Sequence, residues 1–204
     1  MNIPVLTILI LIFVLWLQYE IRKSSKETKA NSDDFWEKEK EANLTRRQDI
    51  SDLSLMTISL SSLPMGDHED DTLNSYRDTI RKMEGKKVIN LFGQTNTDLK
   101  LEYGAANLNQ LMEYDNNFTS FVSMLQKWAD RLYNKGYLEE AKAVLEYGVA
   151  CLTDVTKSYR LLAEIYYSCN TLYKIDQLIE TIANTKITDK DKLIRELIAI
   201  KNRS

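Results

Sequence analysis

Residues 122–150 read VSMLQKWADRLYNKGYLEEAKAVLEYGVA, and residues 156–184 read TKSYRLLAEIYYSCNTLYKIDQLIETIAN. The second stretch is the first displaced by 34 positions, and residues of like character fall on one another. Ala129 meets Ala163, Trp128 meets Leu162, Leu125 meets Tyr159 and Leu132 meets Tyr166. Tyr133 meets Tyr167, Leu138 meets Leu172 and Leu145 meets Ile179. Gly136 meets Asn170, and both residue types tolerate the left-handed backbone that closes a helix. Small residues let paired helices approach, and large ones fill the groove between them. The spacing therefore predicts two helical hairpins of like design.

The pattern resembles a pair of tetratricopeptide repeats. In the first the matching residues are Trp128-Ala129, Leu132, Gly136 to Ala141, Leu145 and the small Gly148. In the second they are Tyr159, Leu162-Ala163, Tyr166, Asn170, Leu172 and Ile179. The second departs at Ile175, where the family has a small Ala, and neither stretch ends on the usual Pro. The resemblance implies a protein or peptide partner held on the first helix of each repeat. Its groove positions here would be Gln126, Asp130, Tyr133 and Asn134, then Lys157, Arg160, Glu164 and Tyr167. Lys157 and Arg160 share a helical face and can hold a carboxylate by charge-assisted hydrogen bonds.

Two repeats bury too little by themselves, so both ends need covering. After them, Thr188 or Asp189 caps a helix with Leu193, Ile194, Leu197 and Ile198 on its apolar face. It reads as a solvating end helix. Before them, Leu99 to Tyr114 offers Leu101, Ala105, Leu108, Leu111 and Met112 as the other cover. Residues 97–204 thus read as one helical domain.

At the other end of the chain, Ile3 to Leu17 is apolar except for Pro4 and Thr7, and the first charge is Glu20. About 19 uncharged residues make a helix roughly 28 Å long, close to the thickness of a bilayer's hydrocarbon core. Trp16 and Tyr19 stand where an aromatic belt would lie. A cleaved signal peptide fits less well: Met1-Asn2 is not basic, and no small-x-small site follows the run. Residues 1–21 are therefore expected to be a transmembrane anchor, with residues 3–19 in the membrane. Arg22, Lys23, Lys26 and Lys29 follow it, which places the C-terminal domain in the cytoplasm. A single anchor with a short helical domain is similar to a family of small anchored bacterial proteins, a likeness that carries no function.

Residues 22–49 read as a charged neck. Ser24 to Asn31 is a spacer, and a helix follows from Asp33 or Asp34 to Arg47. Residues 50–96 are mixed. Ile50 to Leu63 alternates loosely and suggests a short strand, and Pro64 to Asp67 carries turn chemistry. His68, Glu69, Asp70 and Asp71 read as a solvated acidic loop or helix start rather than a metal site. Thr72 to Met83 is predicted to be a helix ended by Gly85, and Thr95 to Asp98 offers caps for the next one.

The 204 residues carry a net charge of −3, which gives no global attraction to nucleic acid. With only two Pro and six Gly, helix breakers are scarce, so the fold class is mainly α. Cys151 and Cys169 are expected to be reduced and buried rather than a disulfide framework, with a single bridge between them as the alternative. His68 is the single histidine, and no nucleophile–base set, Cys-x-x-Cys pair or phosphate loop occurs. The inventory implies no catalytic residue, cofactor or metal, and leaves three readings. The first is a membrane-tethered adaptor. The second is a structural subunit of a membrane complex, and the third, more remote, is an enzyme of unknown type.

Overall fold

The computed structural model describes residues 3–51, 53–185 and 187–203, with the side chains of 3–7 and 24–31 outside that description. The chain is mainly helical. Its elements are α1 (Ile3–Leu44), β1 (Met56–Thr57), α2 (Asp71–Arg81), β2 (Lys87–Val88) and α3 (Asn96–Tyr103). Then come α4 (Leu108–Asn134), α5 (Leu138–Ala150), α6 (Thr156–Ser168), α7 (Tyr173–Ala183) and α8 (Lys190–Lys201). They form two compact units. One is Met1–Ser51 with Thr95–Leu108, and the other is Asp52–Gln94 with Asn109–Ser204.

The first unit is built on α1, a single helix of 42 residues. The expected spacer at Ser24 to Asn31 and the cap at Asp33 or Asp34 do not interrupt it. Neither Gly nor Pro occurs between Pro4 and Pro64, so nothing in the sequence stops the helix there. Every side chain from Ile8 to Leu17 is exposed, from 40% at Val14 to 66% at Leu15. The side chains of Pro4, Thr7, Lys26 and Lys29, which figure in the anchor reading, lie outside the described residues. Among the described residues no helix is long and apolar enough to cross a membrane.

The far end of α1 docks on α3. Ala42 and Leu99 are buried. Around them Lys38 meets Asp98 at 2.8 Å, and Glu39 accepts from Thr97 Oγ1 at 2.6 Å and from Lys100. Lys100 also donates to Asn43 Oδ1 at 2.8 Å. Thr95 caps α3 as expected, in a reciprocal bond pair with Asp98. Leu99 to Tyr114, however, is not one helix. Gly104 (φ 85°) breaks it, and a 3-10 turn at Ala105–Asn107 precedes α4. A Cβ on Gly104 would stand 2.5 Å from the Arg46 carbonyl oxygen, so only glycine fits. Fully buried Asn107 locks the join: its Nδ2 donates to the Gln48 and Tyr103 carbonyls, both at 2.7 Å.

In the second unit β1 pairs antiparallel with β2, Met56 opposite Val88 and Thr57 opposite Lys87. Helix α2 turns Leu73, Ile80 and, just past its end, Met83 inward. These residues, with Ile58, Leu63 and Val88, share one core with Phe118, Phe121, Leu125 and Trp128 of α4. Residues 56–88 therefore supply cover before the hairpins that the sequence pattern does not mark. Leu193, Leu197 and Ile200 of α8 complete the same core after the hairpins. Asp189 holds the N-cap position of α8, but its side chain makes no capping bond.

The two hairpin turns match in backbone detail. Gly136 has φ 84° and Asn170 has φ 55°. Tyr137 N–H reaches back to Leu132 O at 3.0 Å, and Thr171 N–H reaches Tyr166 O at 2.9 Å. Ala129 and Ala163 are both fully buried, as are Trp128 and Leu162 to within 1%.

Candidate partner-binding face

Helices α4 and α6 carry the eight groove positions, and six of them join a network that α8 and Arg203 complete. Gln126 is buried; its Nε2 donates to Asp130 Oδ1 at 2.9 Å and its Oε1 accepts from the Ser158 hydroxyl. Asp130 also pairs with Lys157. Arg160 Nε donates to Glu196 Oε2 at 2.6 Å, and its Nη1 to Thr156 Oγ1 at 3.1 Å. Glu164 accepts from Arg203 Nη1 at 2.7 Å, and the Tyr167 hydroxyl donates to the Arg203 carbonyl at 3.1 Å. Tyr133 packs half-buried against the core, and Asn134 is exposed at the end of α4.

Three acids thus face three bases, and neither Lys157 nor Arg160 is a vacant cation. Both remain substantially exposed, at 63% and 40%. Exposed pairs of this kind contribute about 0–1 kcal/mol, so a ligand carboxylate can exchange for the internal one at small cost. Nothing in the spacing marks Ser158, Glu196 or Arg203 as partners. Glu196 and Arg203 lie on or past the end helix, more than 30 residues from the groups they meet.

The loop before α2 is not the solvated segment its acids suggest. The His68 side chain is 6% exposed, with Nε2 2.9 Å from Glu140 Oε2 and its ring edge-on to Tyr137 at 4.6 Å. Its backbone exchanges two bonds with the Asn74 side chain. Buried Arg77 donates to the Gly66 carbonyl at 2.9 Å and pairs with Asp67 and Asp78. Asp70 divides its carboxylate. Oδ1 caps α2 through the Thr72 and Leu73 N–H groups, and Oδ2 takes Arg131 at 2.6 Å and Lys135 at 3.1 Å. The Arg131 bond, helped by Lys135 and opposed by partial burial, holds the Asp70 carboxyl well below the usual range. This constellation clasps 66–70 to α4 and α5. It holds no nucleophile, and among the described residues no three His, Cys, Asp or Glu side chains are set to hold a metal.

A cleft of about 380 Å³ lies over α5, α6 and α7, walled by Val149, Leu152, Leu162 and Leu178. Inside it the Tyr166 hydroxyl (2.8 Å) and Lys174 Nζ (3.0 Å) both donate to Glu146 Oε1. Burial alone pushes the Glu146 carboxyl up, but Lys174 and Tyr166 outweigh it and hold it low. Leu152 sits at φ 53°, a left-handed conformation that costs a leucine about 1–2 kcal/mol. Both thiols are free. Burial raises Cys151 to about 11, whereas Cys169 is exposed rather than buried. Set against protein-family models, curated proteins and solved structures, the chain matches none.

Proposed function

We propose that this chain is a membrane-tethered adaptor, fixed by its N-terminal helix and binding a protein or peptide partner on the α4–α6–α8 face. The observation that carries the reading is the exposed apolar surface of α1. A helix apolar on every side has no stable place in water, and Ile8 to Leu17 has no protein partner. Residues 3–19 are the spanning segment in this reading. The basic residues after them put the helical domain on the cytoplasmic side, where free thiols persist. The matched turns at Gly136 and Asn170, and the buried Ala129 and Ala163, favour a tetratricopeptide-like pair of hairpins.

Cross-linking of the full chain in cells, with and without residues 3–19, tests the reading. A partner that is lost with the anchor, and lost again with Lys157→Glu and Arg160→Glu, supports it. Full release of the intact chain by alkaline carbonate would overturn the tether. A specific observation also favours the reading as a structural subunit. Each cation of the face already has an internal acid, as a surface without a ligand would. A full chain that is monomeric in lipid nanodiscs and retains peptides would count against that second reading.

A further inference from the structure

The turn between α2 and β2 reads Arg81-Lys82-Met83-Glu84-Gly85-Lys86-Lys87, four cations and one acid in a chain of net charge −3. Met83 is buried, and every charged residue of the turn is exposed. The backbone is pinned. Gly85 (φ 76°) donates to the Ile58 carbonyl at 3.0 Å, and Ile58 N–H returns to Lys86 O at 3.1 Å. Lys86 N–H closes on Met83 O at 3.1 Å. Arg81 shares Asp78 with the buried Arg77. Among the described residues Lys82, Lys86 and Lys87 form no ion pair. The turn therefore holds three lysines without an ion pair on a pinned backbone, in a protein that is acidic overall.

We propose that this turn is a docking surface for anionic phospholipid headgroups of the bilayer that holds the chain. The inference rests on the anchor reading, which keeps the turn at high local concentration beside a membrane. An acidic chain is repelled as a whole by an anionic leaflet, so a basic turn of fixed shape selects which surface approaches it. Attraction close to such a surface amounts to about fivefold in affinity for each lysine, and it is screened within about a Debye length. Nucleic acid fits less well, because a duplex-binding footprint neutralises about 6–10 phosphates, more than this one turn can meet.

The test places a fluorophore at Thr57→Cys, exposed and opposite Lys87, in a Cys151→Ala, Cys169→Ser background. The full chain is reconstituted in nanodiscs that carry nitroxide-headgroup lipid. Quenching should rise several-fold from phosphatidylcholine to a mixture with phosphatidylserine and fall in high salt. It should vanish with Lys82→Glu, Lys86→Glu and Lys87→Glu combined. Equal quenching in both bilayers, or a triple variant that behaves like the parent, overturns the proposal. Alkaline carbonate extraction reads the anchor separately. If the chain is extracted, sedimentation with phosphatidylserine vesicles decides the turn. Binding lost in the triple variant upholds it, and indifference to lipid charge overturns it.

Discussion

Gly136 and Asn170 stand 34 positions apart and end their helices alike, each with positive φ and with the next residue's N–H bonded five residues back. Glycine takes that backbone freely, whereas asparagine only tolerates it. Gly136→Ala is expected to cost about 1–2 kcal/mol, because an L side chain is forced into the left-handed region. Asn170→Gly should be neutral or stabilise slightly. Thermal denaturation of the two variants checks the contrast, and equal behaviour would mean that the turns are not equivalent.

Gly104→Ala should act locally. Its Cβ meets backbone at Arg46 and Arg47 rather than a movable side-chain tip. The join between α1 and α3 must open or shift, at a cost above the typical 1 kcal/mol of a point change. Hydrogen exchange should quicken across Asn96–Tyr103 and change little in α6. Unchanged protection of α3 would contradict the close approach.

Asp70 links stability to pH. Its carboxyl is held below its unfolded value, so the charged form is favoured by folding. The stabilisation is complete above the ordinary carboxylate range near pH 4 and is lost as pH falls toward the depressed folded value. Asp70→Asn can still accept the N-cap bonds but cannot pair with Arg131 or Lys135. It should lower stability at pH 7 and flatten the acid limb. Urea midpoints from pH 7 to pH 2.5 measure both effects, and an acid limb as steep as the parent's would refute the assignment.

Lys157→Met, Asp130→Asn and the double variant form a cycle across α4 and α6. With Lys157 63% exposed, the coupling should be about 0.2–1 kcal/mol and fall with added salt. A larger, salt-resistant coupling would make the pair structural and remove it as an exchangeable ligand site.

The helices of this stretch are legible because their signals are local. Helical periodicity, small residues at Ala129 and Ala163, and turn residues at Gly136 and Asn170 each act over a few neighbouring positions. The helical neck is not legible in its charge, because Glu, Lys and Ala sustain a helix as well as any residues do but also make up spacers. The burial of His68 is hidden for the opposite reason. Its sequence neighbours are acids, but its burial comes from Glu140 and Tyr137, some 70 residues on. Long-range pairs such as Arg160 with Glu196, and Asp70 with Arg131, leave no trace in spacing.

The helix from Ile3 to Leu44 and the short α3 belong to one unit, yet residues 52–94 separate them in the chain. Cutting away the first fifty residues would therefore not leave an intact remainder. It would strip Leu99, Thr97 and Lys100 of the surface they rest on and leave a bare helix to be trimmed by proteases. Removal of α1 and damage to α3 are, by this architecture, the same event.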